Sequence, residues 1–133
     1  MKKNVFSLLL MILVIYSCSN DSNEEQEEEM LQDILVEVLL FEFIADTGND
    51  SQRLRYEIEF TNPNGVDIRG GYEITTNADG LVSTQFFSTN APCTEIGANS
   101  DCTISFDEEE PFEQGLATVQ SIELVSAKYV VVE

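Results

Sequence analysis

From residue 53 onward apolar and polar side chains alternate. Leu54, Tyr56, Ile58 and Phe60 are interleaved with Arg53, Arg55, Glu57, Glu59 and Thr61. Successive side chains of a strand point to opposite faces, so this pattern predicts a strand with one buried and one wet face. Asn62-Pro63-Asn64-Gly65 then supplies four turn-favouring residues in a row. A second strand is expected with Val66, Ile68, Tyr72 and Ile74 on one face, interrupted at Gly70-Gly71 by a bulge or a close backbone approach. Asn77-Ala78-Asp79-Gly80 predicts a hairpin into a third strand over Leu81 to Phe87. Further on, Cys102, Ile104 and Phe106 alternate with Thr103, Ser105 and Asp107. The stretch from Leu116 to Val132 is rich in β-branched residues and long for one strand, so a break or bulge is expected near Ser126-Ala127.

Residues 31 to 45 fit two templates. Leu31, Ile34, Leu35, Val38 and Leu39 match a helical face. Val36, Val38, Phe41, Phe43 and Ile44 favour a strand that ends at the turn Asp46 to Asp50. The segment is apolar nearly all round, which suits a buried strand, and strand is the expectation. Six or seven short strands in roughly 100 residues make the fold class all-β, a small immunoglobulin-like antiparallel β-sandwich, with a small β-barrel as the alternative. The stretch from Leu54 to Phe106 is similar to fibronectin-III and related immunoglobulin-like modules of bacterial envelope proteins. The alternating strand, the N-P-N-G turn and the hairpin at Asp79-Gly80 carry that resemblance. The buried tryptophan and the inter-sheet cystine of antibody domains are missing.

The N-terminus has a different pattern. Met1-Lys2-Lys3-Asn4 is a basic head, and the 12-residue run from Val5 to Tyr16 is apolar apart from Ser7 and the interfacial Tyr16. A span of the hydrocarbon core needs about 20 residues, so this run has the length of a signal-peptide hydrophobic region. Ile15-Tyr16-Ser17-Cys18 follows and resembles the bacterial lipobox, with a bulky Tyr16 where a small residue is usual. The resemblance implies removal of residues 1–17 and acylation of Cys18, and several acyl chains anchor a protein stably where one does not. Ser19 to Glu29 reads S-N-D-S-N-E-E-Q-E-E-E, six acids and no apolar side chain. Such a segment cannot offset its ordering entropy and reads as a solvated spacer. It also looks like the acidic export signal of surface-displayed lipoproteins of Bacteroidota-type bacteria. The expected organisation is a signal peptide over 1–17, a lipidated acidic tether over 18–29 and a β-sandwich domain over 30–133. The expected location is the outer membrane, lipid-anchored and exposed at the cell surface, with a periplasm-facing domain as the alternative.

Charge narrows the partners. The chain has 25 acidic and 6 basic residues, and Lys2 and Lys3 lie in the leader. The remainder after residue 17 therefore carries 25 acids against 6 − 2 = 4 bases, a formal charge of −21. Such a surface repels phosphate backbones, which argues against nucleic acid and leaves cationic partners or divalent metals open. There is no histidine, so the usual neutral-pH base and the commonest transition-metal ligand are missing.

With Cys18 assigned to lipid, Cys93 and Cys102 remain to pair in an oxidising compartment. Eight residues separate them, unlike a C-x-x-C redox pair, so a structural disulfide is expected. Asp46, Asp50, Asp107 and Glu108, in two acidic runs, are the candidate calcium ligands, because hard cations collect several oxygens from loops. The alternative for both runs is a solvated acidic loop. No other cofactor is expected. Nucleophilic catalysis finds no Ser-His or Cys-His pair, and acids are too abundant for any carboxylate pair to carry information. Phe86 and Phe87 are adjacent and so point to opposite faces of a strand, with cover by the loop 88–101 expected for the outward ring.

The chain is therefore expected to be non-catalytic, a membrane-anchored binding or accessory module whose partner is an envelope protein or an extracellular ligand. The alternatives are a calcium-assisted adhesin or glycan binder, and a surface inhibitor of a protease or lysozyme presenting the loop Ser88 to Ser100.

Overall fold

The computed structural model describes residues 30–132. The leader, Cys18, the acidic tether and Glu133 lie outside the described residues. Within them are seven strands and no helix: β1 (Leu35–Ile44), β2 (Ser51–Thr61), β3 (Ile68–Ala78), β4 (Leu81–Phe87), β5 (Glu95–Ile96), β6 (Asp101–Pro111) and β7 (Ile122–Val131). One sheet has the order β1-β2-β6. In the other, β3 is central, flanked by β4 and β7, with the two-residue β5 on the first residues of β3. Every pairing is antiparallel. The chain crosses between sheets at 62–67, at 97–100 and at 112–121, and the two sheets pack as an open sandwich, not a closed barrel.

Alternation on β2 sets the core. Tyr56, Ile58 and Phe60 are buried, and the register places them beside Phe106, Ile104 and Cys102 of β6. On β3 the buried row is Ile68, Tyr72 and Ile74. Aromatic rings join the rows. Tyr56 stacks between Phe41 and Phe106 at centroid distances of 6.2 and 5.0 Å, and Phe60 meets Tyr72 and Tyr129 at 5.1 and 5.4 Å. Such pairs contribute about 0.5–1.5 kcal/mol beyond area burial.

The segment 31–45 is a strand over Leu35–Ile44, paired to β2 with a bulge between Val38 and Leu40. Three expectations are corrected. Val66 lies ahead of β3 and is half exposed, because the turn after Thr61 runs on to Asp67. The last strand starts at Ile122 and not at Leu116, because residues 112–121 form a loop; the bulge expected near Ser126 is present, at Val125. The loop after β4 does not cover Phe86, which is 53% exposed while Phe87 stacks on Tyr72 at 4.9 Å.

Gly70 and Gly71 lie in unbroken register with β7, so close approach is the operative reading and not a bulge. A Cβ on Gly70 would sit 2.2 Å from the Val130 carbonyl oxygen, and one on Gly71 2.5 Å from that of Phe87. The predicted hairpin is a two-residue turn. Asp79 and Gly80 both have positive φ (48° and 92°), as a type I′ turn between Ala78 and Leu81 requires.

Candidate functional site

The core-facing row of β2 runs Phe60, Ile58, Tyr56, Leu54, Gln52. On β6 the partners of the last two are Glu108 and Glu110. The row that is apolar through the middle of the sandwich thus turns polar at this end. Alternation leaves no freedom here: once Ile104 and Phe106 face inward, Glu108 and Glu110 must lie on the same side. Both carboxylates are exposed, so the sheets are open to solvent where these residues sit.

The opening is a cleft of about 400 Å³ between Gln52 and Glu110 on one side and the loop residues Phe112, Glu113, Leu116 and Val119 on the other. A smaller recess of about 90 Å³ continues from it, sharing Gln52 and Glu110 and walled by Phe43, Leu54, Phe106, Glu108 and Ile122. The loop that forms the far wall is fastened at both ends. The Phe112 amide donates to the Asp50 carbonyl at 2.8 Å. At the other end the Gln120 and Ser121 amides each donate to the Asp79 carboxylate at 2.8 Å, and these bonds hold its pKa below the ordinary value of 3.8.

The polar groups lining the cleft are mostly acceptors. The Gln52 side-chain oxygen is buried and has no hydrogen-bond partner. An unpartnered buried acceptor costs about 1–3 kcal/mol, which a donor entering the cleft would recover. Two carboxylates beside it, with phenyl and aliphatic walls, suit a group carrying positive N–H donors on an apolar stem.

The four candidate calcium ligands are not brought together. Asp46 accepts from the Gly48 amide at 2.8 Å, and Asp50 occupies the same β1–β2 turn with φ 55°. Asp107 faces outward in a bidentate pair with Arg53, both bonds at 2.7 Å, and the guanidinium holds its carboxyl below the ordinary range. Glu108 follows it and points to the opposite face, into the recess. Among the described residues no three or more Asp, Glu, Cys or His side chains gather as a metal-binding group. Glu109, next to these, accepts from the hydroxyls of Ser51 and Thr47, which lower its pKa.

Cys93 and Cys102 form a disulfide with Cα atoms 5.6 Å apart. Because Cys102 is on β6 and Cys93 precedes β5, the bond ties one sheet to the other. The loop Ser88 to Ser100 is anchored through its second half, where Cys93 and Ile96 are buried and the Tyr129 hydroxyl donates to the Cys93 carbonyl at 3.0 Å.

Sequence reasoning missed Gln52 and the loop 112–121, and reached Glu110 only as the end of an acidic run. Gln52 and Glu110 share the parity of the core residues, and that parity was the available signal. The loop was hidden because Leu116 to Val119 reads as strand. Comparison with protein-family models, with curated proteins and with solved structures gives no match for this chain.

Proposed function

We propose that this chain is a non-catalytic binding module, tethered by lipid at Cys18 to the outer membrane and displayed at the cell surface, that recognises a partner protein of the envelope through a lysine or arginine side chain. The envelope assignment is supported by the leader, the lipobox-like I-Y-S-C and the acidic spacer. The binding assignment is carried by one observation: the cleft at the open end of the sandwich places an unpartnered buried oxygen of Gln52 beside the carboxylates of Glu108 and Glu110. A cationic side chain fits this lining, with its methylene stem against Phe43 and Leu54 and its head at the acids. The formal charge of −21 beyond the leader steers basic surfaces toward the domain.

The test is crosslinking on intact cells, with the full-length chain captured through a C-terminal tag. The expected result is one stoichiometric envelope protein, whose recovery falls at least about tenfold, or about 1.4 kcal/mol, in Glu110→Lys at unchanged thermal stability. Recovery of the same partner in undiminished amount from Glu110→Lys would refute the cleft as the binding site. Recovery of bulk lipid and unrelated proteins alone would refute the envelope partner.

A further inference from the structure

A sandwich of this kind has four exposed strand edges, and three of them are blunted. β1 is bulged at Leu39 and carries Glu37 and Glu42. β6 carries Asp101, Asp107 and three consecutive glutamates, and ends in Pro111. β7 is bulged at Val125 and carries Glu123 and Lys128. Bulges, charges and proline are the devices by which proteins discourage edge-to-edge pairing.

β4 has none of them. It reads Leu81-Val82-Ser83-Thr84-Gln85-Phe86-Phe87, pairs with β3 in unbroken register, and is exposed in every residue but the last. Residues 80 to 94 form the longest stretch without a charged side chain among the described residues, which hold 18 acids and 4 bases. Leu81, Val82 and Phe86 are among the most exposed apolar side chains of the fold, at 72%, 58% and 53%. An unbulged, uncharged, apolar edge is a template for another strand.

The pattern of the edge specifies which strand. About Thr84 the sequence is symmetric in kind: two apolar residues, three polar, two apolar. In the two-residue hairpin Ala78 and Leu81 form the closing hydrogen-bonded pair, so Ser83, Gln85 and Phe87 bond to β3. The amides and carbonyls of Val82, Thr84 and Phe86 therefore point outward. An antiparallel copy centred on Thr84 would set Thr84 against Thr84 and Val82 against Phe86, each as a hydrogen-bonded pair, with aliphatic and aromatic groups on one face. A cross-strand pair of that type contributes roughly 0.2–1 kcal/mol. The match holds in both directions at once, which is the requirement of an isologous twofold interface.

We propose that β4 is a dimerisation edge, and that its occupant is β4 of a second copy of this chain, which joins the two four-stranded sheets into one continuous sheet. This proposal is independent of the binding cleft, to which β4 contributes no residue.

The full-length chain in detergent, with its mass read by sedimentation equilibrium, tests it. The expected mass is twice that of the single chain after correction for bound detergent. Thr84→Pro removes an outward amide and no backbone bond to β3, though it also loses the Thr84–Thr75 hydroxyl bond at 2.8 Å. Val82→Asp, which keeps that bond, places a carboxylate opposite the partner's Phe86. Both variants are expected to sediment as single chains. Amide exchange read by NMR supplies the second measurement, since Val82, Thr84 and Phe86 are protected in the wild-type dimer and exchange fast in Val82→Asp, while Ser83, Gln85 and Phe87 stay protected in both. A wild-type chain that remains single at high concentration overturns the proposal. So does a dimer that survives both variants, or one in which these three outward amides exchange freely. Protection that appears only on adding envelope extract would assign the edge to a different protein and equally overturn pairing between copies.

Discussion

At the scale of single residues, Asn62 and Asp79 do more than their turn propensities suggest. Asn62 is fully buried. Its amide nitrogen donates to the carbonyls of Val66, Ile96 and Gly97 at 2.8, 3.2 and 2.9 Å, and its oxygen accepts from the backbone and side chain of Asn64. Asn64 in turn exchanges two bonds with the backbone of Gln32. The two residues therefore clip the entry to β1, the β2–β3 turn and β5 into one node. Asn62→Ala leaves several buried backbone carbonyls unpaired and is expected to cost about 3 kcal/mol, read as a lower urea midpoint at unchanged slope. A loss below roughly 1 kcal/mol would show the node to be dispensable. Asp79 acts through charge. Amide donors from Gln120 and Ser121 depress its pKa, so its contribution is present above the ordinary value of 3.8 and is lost as pH falls through the lower, folded value. Asp79→Asn should melt a few degrees lower than wild type at pH 7, and the gap should close in acid below pH 3.8. A gap that persists undiminished at low pH would assign the effect to side-chain shape and not to charge.

At the scale of elements, β3 shows what can be read from a sequence and what cannot. Its buried row, its hairpin into β4 and its paired glycines follow from alternation and turn chemistry, which act over a few residues. What the glycines face does not follow, because their register partners Val131 and Val130 lie far along the chain. Gly70→Ala drives a methyl group into the Val130 carbonyl and the Tyr129 ring, against backbone that cannot move alone. The expected cost is at least about 2 kcal/mol in thermal or urea unfolding. Gly65→Ala, where nothing lies within 4 Å, is the matched control and should stay within about 0.5 kcal/mol of wild type. Equal losses at both positions would mean that backbone entropy, not the close approach, explains the glycines. The same limit explains what was misplaced elsewhere. Leu116 to Val119 has strand-like composition but pairs with no strand. β5 has only two residues, too few to show a period, and its place beside Ile68 and Arg69 is fixed by the nearby disulfide. For the cleft, Glu108 and Glu110 were legible only as part of an acidic run, since telling inward from outward acids requires the strand's register against β2.

At the scale of the whole molecule, the described residues hold 18 acids and 4 bases, a formal charge of −14, spread over a small sandwich. Three of the four bases are in ion pairs: Arg53 with Asp107, Arg55 with Glu42, and Arg69 with Glu95. All three pairs lie on the surface, where each contributes about 0–1 kcal/mol. Against them stands repulsion among the fourteen acids in excess, which acts over the whole surface and opposes the compact state. Salt weakens both, yet unevenly. The pairs are short contacts, whereas much of the repulsion acts over distances comparable to the Debye length of about 10 Å at 0.1 M. Screening therefore removes more repulsion than attraction. The melting temperature is expected to rise by a few degrees between about 0.02 and about 0.3 M sodium chloride, and to rise equally with sodium or potassium. Calorimetry over that range measures it. A melting temperature that falls with salt would mean that the three arginine pairs outweigh the collective repulsion, and that the acidic surface carries little folding cost.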